Sequence, residues 1–280
     1  MTATPAGGRI KARFEALARE NRAGFVAYVM AGDPEPGTAM RILHGLPAAG
    51  ADLIELGIPF SDPMADGPPI QRAALRALAA GMTLAGVFDL VGKFRETDTV
   101  TPIVLMGYLN PILSVGFEAF AAAAATAGVD GLIAVDCPPE EADPLADALD
   151  RHGVDLIRLA TPTTDDARLA IVTRRTRGFV YYVSVAGVTG AKAAVAVDVA
   201  PAVARVRAAS GLPVAVGFGI RTPEQAAAIA QVADAAVVGS AFVDAIADAM
   251  AEGADPAARV LALAAGLGDA VRSARSSADG

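Results

Sequence analysis

Short apolar runs alternate with Ala-rich amphipathic runs along almost the whole chain, with no linker between them. The apolar runs end near Gly or Pro and predict eight strands, at 25–30, 53–56, 103–106, 131–135, 155–159, 179–184, 213–216 and 235–238. The amphipathic runs predict helices at 37–49, 117–127, 140–152, 166–174, 199–209, 223–231 and 240–252. The chain is therefore organised as repeated strand–helix units.

Eight such units in about 250 residues predict a single (β/α)₈ TIM barrel, because strand–helix–strand crossovers are right-handed and parallel. We place this domain at 9–272, with flexible termini at 1–8 and 273–280. The strand starts lie 50 and 34 residues apart after strands 2 and 6, which predicts extended loops there. An open doubly wound sheet is the alternative. It usually carries a Gly-rich dinucleotide turn after strand 1, and residues 31–34, AGDP, do not fit that fingerprint.

Composition narrows the class of protein. The chain has 280 residues, 54% of them apolar and 19% charged, which indicates a globular core. The net charge of −8 disfavours nucleic acid and anionic membrane as partners. Residues 99–117 carry no charge, but Pro102, Asn110 and Pro111 interrupt them, so we predict no membrane span. The N-terminal residues lack the apolar run of a signal peptide, which predicts a cytoplasmic protein.

Reactive side chains are scarce. The chain contains one cysteine, two histidines and three lysines: Cys137, His44, His152, Lys11, Lys93 and Lys192. This excludes disulfide frameworks and Cys/His zinc clusters, and both histidines fall on predicted helix surfaces. A Schiff-base lyase needs a lysine at the carboxyl end of a strand, and no lysine lies there. The remaining chemistry is that of carboxylates and phenols, with no metal ligand set.

Carboxylates lie at and after the end of strand 2. Glu55 alternates with Ile54 and Leu56, so it faces either the barrel interior or the helix layer, where an unpaired charge is unfavourable. Such a carboxylate indicates function, and pairing with a neighbouring arginine is the competing interpretation. Asp62 and Asp66 follow in the next loop. Each alone is typical of a turn, but the position beside Glu55 favours a functional role.

Glycines follow each of the last three strands. They occur in residues 185–191 (VAGVTGA), 217–220 (GFGI) and 239–240 (GS). Glycine lets backbone N–H groups approach an anion, and a helix that begins at Ser240 adds its positive dipole end. Barrels often bind a phosphate with the loops after strands 7 and 8. The pattern predicts a phosphate site made mostly by main chain, which is compatible with the acidic net charge.

Residues 53–71, LIELGIPFSDPMADGPPIQ, closely resemble the signature of the tryptophan synthase α subunit family. Residues 102–111, 187–190 and 217–220 resemble the same family, in order, so the similarity spans roughly 10–270. The resemblance implies a (β/α)₈ barrel of tryptophan biosynthesis that cleaves indole-3-glycerol phosphate to indole and D-glyceraldehyde 3-phosphate. It also implies a partner β subunit, in an αββα heterotetramer, to which indole passes directly.

The resemblance also implies residue roles. Glu55 is the general acid-base, Asp66 interacts with the indole N–H, and Tyr181 lines the site. The residues implied to bind the substrate around its phosphate are Thr189, Gly190, Gly217, Phe218, Gly219, Gly239 and Ser240. No cofactor is implied in this chain, since pyridoxal phosphate belongs to the β subunit. Ser184 is followed by Val185, where many family members carry arginine, so contacts other than those of an arginine must close this loop.

This reaction suits the residues present. Protonating indole C3 while the ring N–H is held by a carboxylate turns the heterocycle into an electron sink, so retro-aldol cleavage needs neither lysine nor metal. We expect a raised pKa at Glu55, in its apolar setting, and an ionised Asp66.

Two other functions remain open from the residues. A phosphosugar isomerase or epimerase would explain the phosphate glycines, but it calls for strand-end histidines or a metal cluster. A non-catalytic regulator of a partner enzyme would have no need of Glu55 and Asp66, and both are present.

Overall fold

The structure is a computed structural model that describes residues 8–184, 192–217 and 219–275. Thr189, Gly190 and Phe218, three of the predicted substrate-binding residues, lie outside these ranges. The described residues contain nine parallel strands: β1 (Gly24–Met30), β2 (Leu53–Gly57), β3 (Ile103–Gly107), β4 (Gly131–Ala134), β5 (Asp155–Leu156), β6 (Arg158–Ala160), β7 (Val180–Val183), β8 (Val214–Gly217) and β9 (Ala235–Val238).

The strands form one sheet in the order β5-β4-β3-β2-β1-β9-β8-β7-β6, and β5 and β6 are separated only by Ile157. β5 pairs with β4, and β6 pairs with β7, so the fifth predicted strand is the seam at which the barrel closes. The prediction of one continuous strand at 155–159 was wrong at Ile157, because the strand changes partner there. The predicted barrel itself is confirmed.

Twelve α-helices surround the strands in the described ranges: α1 (Gly8–Arg19), α2 (Pro36–Gly45), α3 (Pro68–Ala79), α4 (Leu84–Arg95), α5 (Leu109–Val115), α6 (Phe117–Ala127), α7 (Asp143–Arg151), α8 (Asp166–Thr173), α9 (Lys192–Ser210), α10 (Pro223–Val232), α11 (Ser240–Glu252) and α12 (Pro256–Ser273). Each of the seven predicted helices is present. α10 begins where its sequence predicts, because Thr222 and Gln225 form a capping box around Pro223.

The two long gaps predicted after strands 2 and 6 contain helices as well as loop residues. After β2 the irregular segment is 58–67, and α3 and α4 fill most of the remaining gap. After β7 the 19-residue α9 occupies most of the gap, and residues 185–191 lie outside the description. α4 buries one apolar stripe, Val87, Leu90, Val91 and Phe94, which explains why this part of the gap is helical.

The ends of the barrel reach one residue beyond the predicted limits 9–272. α1 begins at Gly8 and α12 ends at Ser273. Arg275 donates hydrogen bonds to the carbonyl oxygens of Ala230 (3.0 Å) and Ala233 (2.7 Å), which connects the chain after α12 to α10 and the residue that follows it.

α1 covers the amino-terminal end of the barrel. Its buried side chains, Ile10, Phe14 and Leu17, belong to the same apolar cluster as the inward-facing residues of the strands. Leu17 lies against Gly24, the first residue of β1. With this end filled, the open end is the one at the carboxyl termini of the strands, which is where barrel active sites are built.

No single helix of the described residues is both long and apolar enough to cross a membrane. Two pairs of consecutive helices reach that length and composition only when they are joined across bends of 92° and 99°.

Candidate active site

Glu55 is buried at the open end of the barrel. It follows Leu53, which belongs to the interior cluster, by two positions on β2, so alternation turns its side chain inward as well. The residue is 2% exposed, and its Oε2 has no hydrogen-bond partner among the described residues. Arginine pairing, the competing interpretation, is therefore wrong for this carboxylate within those residues. A buried polar atom without a partner in the protein is rare and calls for a water molecule, a ligand or a chemical role.

Burial raises the pKa of Glu55 from its ordinary 4.5 to about 8, and the charge of Asp66 adds to this. Because both effects disfavour the ionised form, the side chain is largely protonated at neutral pH. This agrees with the expectation from the apolar sequence around it.

Asp66 lies in the half-buried loop after β2, close enough to Glu55 for its charge to be felt there. Burial raises the pKa of Asp66, and a hydrogen bond with the Tyr108 hydroxyl opposes that rise. The same hydroxyl accepts a hydrogen bond from the backbone N–H of Ala65 at 3.0 Å, so Tyr108 fixes the loop as well as the carboxylate. Asp62, by contrast, is exposed and accepts a bond from Ser61, as expected of a turn residue.

Two phenols border Glu55. Tyr181 lies on the inner face of β7, and its hydroxyl occupies the space where a Cβ at Gly217 would be. Tyr28 pairs with Glu55 in the β1–β2 register and was missed by sequence reasoning, although its spacing from Val26 along β1 indicates the inner face. Burial raises the pKa of both phenols; the charges of Asp66 and Glu55 add to this at Tyr28, and that of Glu55 adds to it at Tyr181, so both hydroxyls keep their protons at neutral pH.

The predicted phosphate end lies at the carboxyl termini of β8 and β9. Gly217 is the last residue of β8, and Gly219 has a φ of +78°, a conformation that favours glycine. Gly239 precedes α11 and packs against the Tyr28 ring. Ser240 begins α11, so the positive end of this helix opens at the same place as Gly239. The structure thus brings the described glycines to one side of the barrel mouth.

The histidines lie away from this mouth. His44 is exposed on α2 and hydrogen-bonds with Thr97, while His152 follows α7 and contacts Glu118, which confirms the surface positions predicted for both. Within the described ranges, no three His, Cys, Asp or Glu side chains are clustered as metal ligands.

Comparisons with known proteins agree with this geometry. The family model described as "Tryptophan synthase alpha chain" matches residues 14–272. The tryptophan synthase alpha chain of Caulobacter vibrioides (strain NA1000 / CB15N) is 71% identical over 267 residues, which cover 95% of this chain and 97% of that one. The alpha chain of Phenylobacterium zucineum (strain HLK1) is also 71% identical, over 96% of this chain and 97% of that relative.

Solved structures of tryptophan synthase alpha chains also superpose on this chain. The tryptophan synthase subunit alpha of Legionella pneumophila str. Paris superposes with a TM-score of 0.88 at 42% identity, covering 94% of this chain and 98% of that one. A structure of Mycobacterium tuberculosis tryptophan synthase superposes with a TM-score of 0.84 at 38% identity, again over 94% and 98% of the two chains.

Proposed function

The chain belongs to the family of tryptophan synthase alpha chains, the lyases of tryptophan biosynthesis that cleave indole-3-glycerol phosphate, and we propose that Glu55 and Asp66 perform this cleavage. The observation that carries the assignment is the buried, unpartnered Oε2 of Glu55 at the open end of the barrel. A carboxyl group whose pKa is about 8 holds a proton at neutral pH and can give it to carbon.

The proposed cleavage is a retro-aldol reaction. The Glu55 carboxyl donates its proton to indole C3, and Asp66 accepts the ring N–H and stabilises the positive charge that develops on nitrogen. The bond between C3 and the glycerol side chain then breaks, its electrons return to the indole ring, and the hydroxyl on the adjacent carbon loses its proton to Glu55. The products are indole and D-glyceraldehyde 3-phosphate, and Glu55 is protonated again.

The phosphate of the substrate is proposed to lie at the glycine side of the mouth, near Gly217, Gly219, Gly239 and Ser240. Thr189, Gly190 and Phe218 belong to the same proposal by the family resemblance. The bulk of the phosphate charge would be met by backbone N–H groups and the α11 dipole, which explains how a chain of net charge −8 holds an anion. Tyr181 and Tyr28 would border the indole end, beside Glu55.

An indole-release assay on the purified chain, with and without EDTA, tests this function. Release of indole that EDTA leaves unchanged is the expected result. An isomerase or epimerase would convert phosphosugars without releasing indole, and a metal-dependent one would lose that activity in EDTA. A non-catalytic regulator would release nothing above the uncatalysed rate.

Asp66→Asn is expected to lower kcat/KM for indole-3-glycerol phosphate by about 100-fold, because an amide can accept the ring N–H but cannot balance the positive charge on it. The matched control is Asp62→Asn, which removes an exposed carboxylate from the same loop and should leave indole release by the isolated chain within about twofold of wild type. Steady-state kinetics of both variants measure the difference. Equal losses in the two would assign the effect to the loop rather than to the carboxylate at Asp66.

A tryptophan synthase β subunit is the proposed partner, in an αββα assembly, with pyridoxal phosphate confined to that subunit and the assembly in the cytoplasm. The loop after β2 offers mixed support for such a contact. Pro59 is buried and Phe60 packs on Tyr108, with ring centroids 5.4 Å apart, so both fold back onto the barrel. Met64 is 82% exposed at the active-site face and is free to contact a partner.

Adding the β subunit of Caulobacter vibrioides is expected to change the rate of indole release, because a partner seated on the loop after β2 would alter the position of Asp66. Met64→Ser should weaken this response, by about tenfold in the β-subunit concentration needed, since one buried apolar side chain contributes that order of affinity. Met250→Ser, at an exposed position at the end of α11, is the control and should respond as wild type does. An unchanged rate at saturating β subunit would refute the coupling.

A further inference from the structure

A second buried side-chain atom without a partner lies outside the active site. Among the described residues, the buried polar side-chain atoms with no hydrogen bond are Glu55 Oε2 and Arg158 Nε. Arg158, on β6, is 5% exposed, and the cleavage proposed above does not use it. A buried guanidinium is always charged and is unfavourable unless an anion compensates it, so its position needs an explanation.

Arg158 lines a cavity of about 320 Å³ beside the loop after β4. The cavity walls are mostly apolar and come from β4, β6, α8 and the loops between them; they include Val135, Leu159, Pro138, Pro139 and Val172. None of the residues proposed for indole-3-glycerol phosphate lines it. The lining residues therefore differ from those proposed for the substrate, and two of them, Val135 and Leu159, pack against the interior cluster of the barrel.

Only one edge of the Arg158 guanidinium is occupied. Nη1 donates to the carbonyl oxygen of Cys137 at 2.7 Å, whereas Nε has no hydrogen-bond partner among the described residues. The edge formed by Nε and Nη2 has two parallel N–H groups, the geometry that fits the two oxygens of a carboxylate.

The Nε–Nη2 edge of another arginine in this chain binds a carboxylate. Arg76 donates from Nε and Nη2 to the two oxygens of buried Asp33, at 2.6 and 2.8 Å. Arg158 offers the corresponding pair of donors without the carboxylate.

Acidic residues near the cavity already have partners. Glu140 and Asp143 are close enough for their charges to act on Arg158, but Glu140 is ion-paired with Arg168, and Asp143 lies 3.4 Å from Arg174. Asp136, which lines the cavity, accepts a hydrogen bond from the backbone N–H of Leu109 at 2.7 Å. No carboxylate is hydrogen-bonded to Arg158 among the described residues, and its Nε–H is left for a ligand.

We propose that this cavity binds a small organic carboxylate, held by the Nε–Nη2 edge of Arg158 with its apolar body against Pro138, Pro139 and Val172. A monocarboxylate fits better than a phosphate ester, because the Nε–Nη2 edge of Arg158 compensates a single charge and Arg168, which also lines the cavity, is already ion-paired with Glu140. This site is independent of the lyase chemistry and does not rest on it.

A titration of the ¹⁵N-labelled full chain with propionate tests the proposal, at constant ionic strength, by following the backbone amide signals of residues 134–137, which line the cavity. Propionate is expected to shift these signals saturably. Propionamide, which has the same shape without the charge, should cause no saturable shift. Arg158→Lys keeps the charge but loses the paired donors and should bind propionate about tenfold more weakly. Arg158→Met should show no response, and Arg177→Met, an exposed arginine outside the cavity, should behave as wild type.

Thermal melting completes the test. Arg158→Met removes an uncompensated buried charge, so its Tm is expected to equal or exceed that of the wild type. Three results would overturn the proposal: a propionate response that survives in Arg158→Met, equal shifts with propionamide, or a large loss of Tm in both Arg158 variants, which would assign the side chain to fold stability.

Discussion

Replacing Glu55 with glutamine is expected to lower kcat for indole release by about 1,000-fold, while indole-3-glycerol phosphate still binds. Glutamine has the size of glutamic acid but carries no proton that it can give to C3 and take back, and a well-placed general acid-base contributes about 100- to 10,000-fold. The phosphate would still be met by the glycines at the other side of the mouth, so the dissociation constant should change little. Equilibrium binding and single-turnover kinetics separate the two effects.

The pH dependence of the wild type gives a second readout of the same group. Because Glu55 must be protonated to start the reaction and burial raises its pKa to about 8, kcat/KM should fall as the pH rises through about 8. Glu96→Gln, on the exposed surface after α4, is the control and should keep both the rate and the pH profile. Near-normal turnover by Glu55→Gln would refute the assignment of Glu55.

Sequence patterns predicted the parts of this fold that depend on local chemistry. Seven of the strands and the start of α10 follow from apolar runs and from the capping box at Thr222. The break at Ile157 could not be predicted in this way, because it arises from barrel closure: the strand must pair with β4 on one side and with β7 on the other. Such a change of partner leaves no mark in the hydrophobic pattern of 155–159.

The candidate site likewise contains residues that the sequence predicted and residues that it did not. Glu55 stood out in the sequence because a charge inside a strand is unusual, and the structure places it in the barrel mouth. Tyr28 and Tyr108 did not stand out, since an aromatic residue in or after a strand is an ordinary core residue. Their roles depend on neighbours distant in sequence: Tyr28 lies beside Glu55 in the β1–β2 pairing, and Tyr108, after β3, bonds Asp66 in the loop after the adjacent strand β2. Arg158 escaped notice for a related reason, because only packing shows that its charge is left uncompensated.

Burial raises the pKa of Glu55, and it also lowers the stability of the folded wild-type chain where this carboxyl would otherwise ionise. Glu55→Gln should therefore unfold at a higher denaturant concentration than the wild type at pH 8. In the unfolded chain the carboxyl ionises near its ordinary pKa of 4.5, whereas in the folded chain it keeps its proton up to about pH 8. Between these values the folded state binds more protons, so wild-type stability falls as the pH rises. The glutamine variant lacks this dependence. The stability difference between the two proteins should therefore be small near pH 4.5, grow to a few kcal/mol by about pH 8 and stay constant above it.

Urea unfolding from pH 5 to 9, with Glu96→Gln as the control, measures this difference in the free energy of unfolding. A constant difference across the range would show that the Glu55 carboxyl titrates alike in the folded and unfolded chains, and would remove the basis for its role as a proton donor at neutral pH.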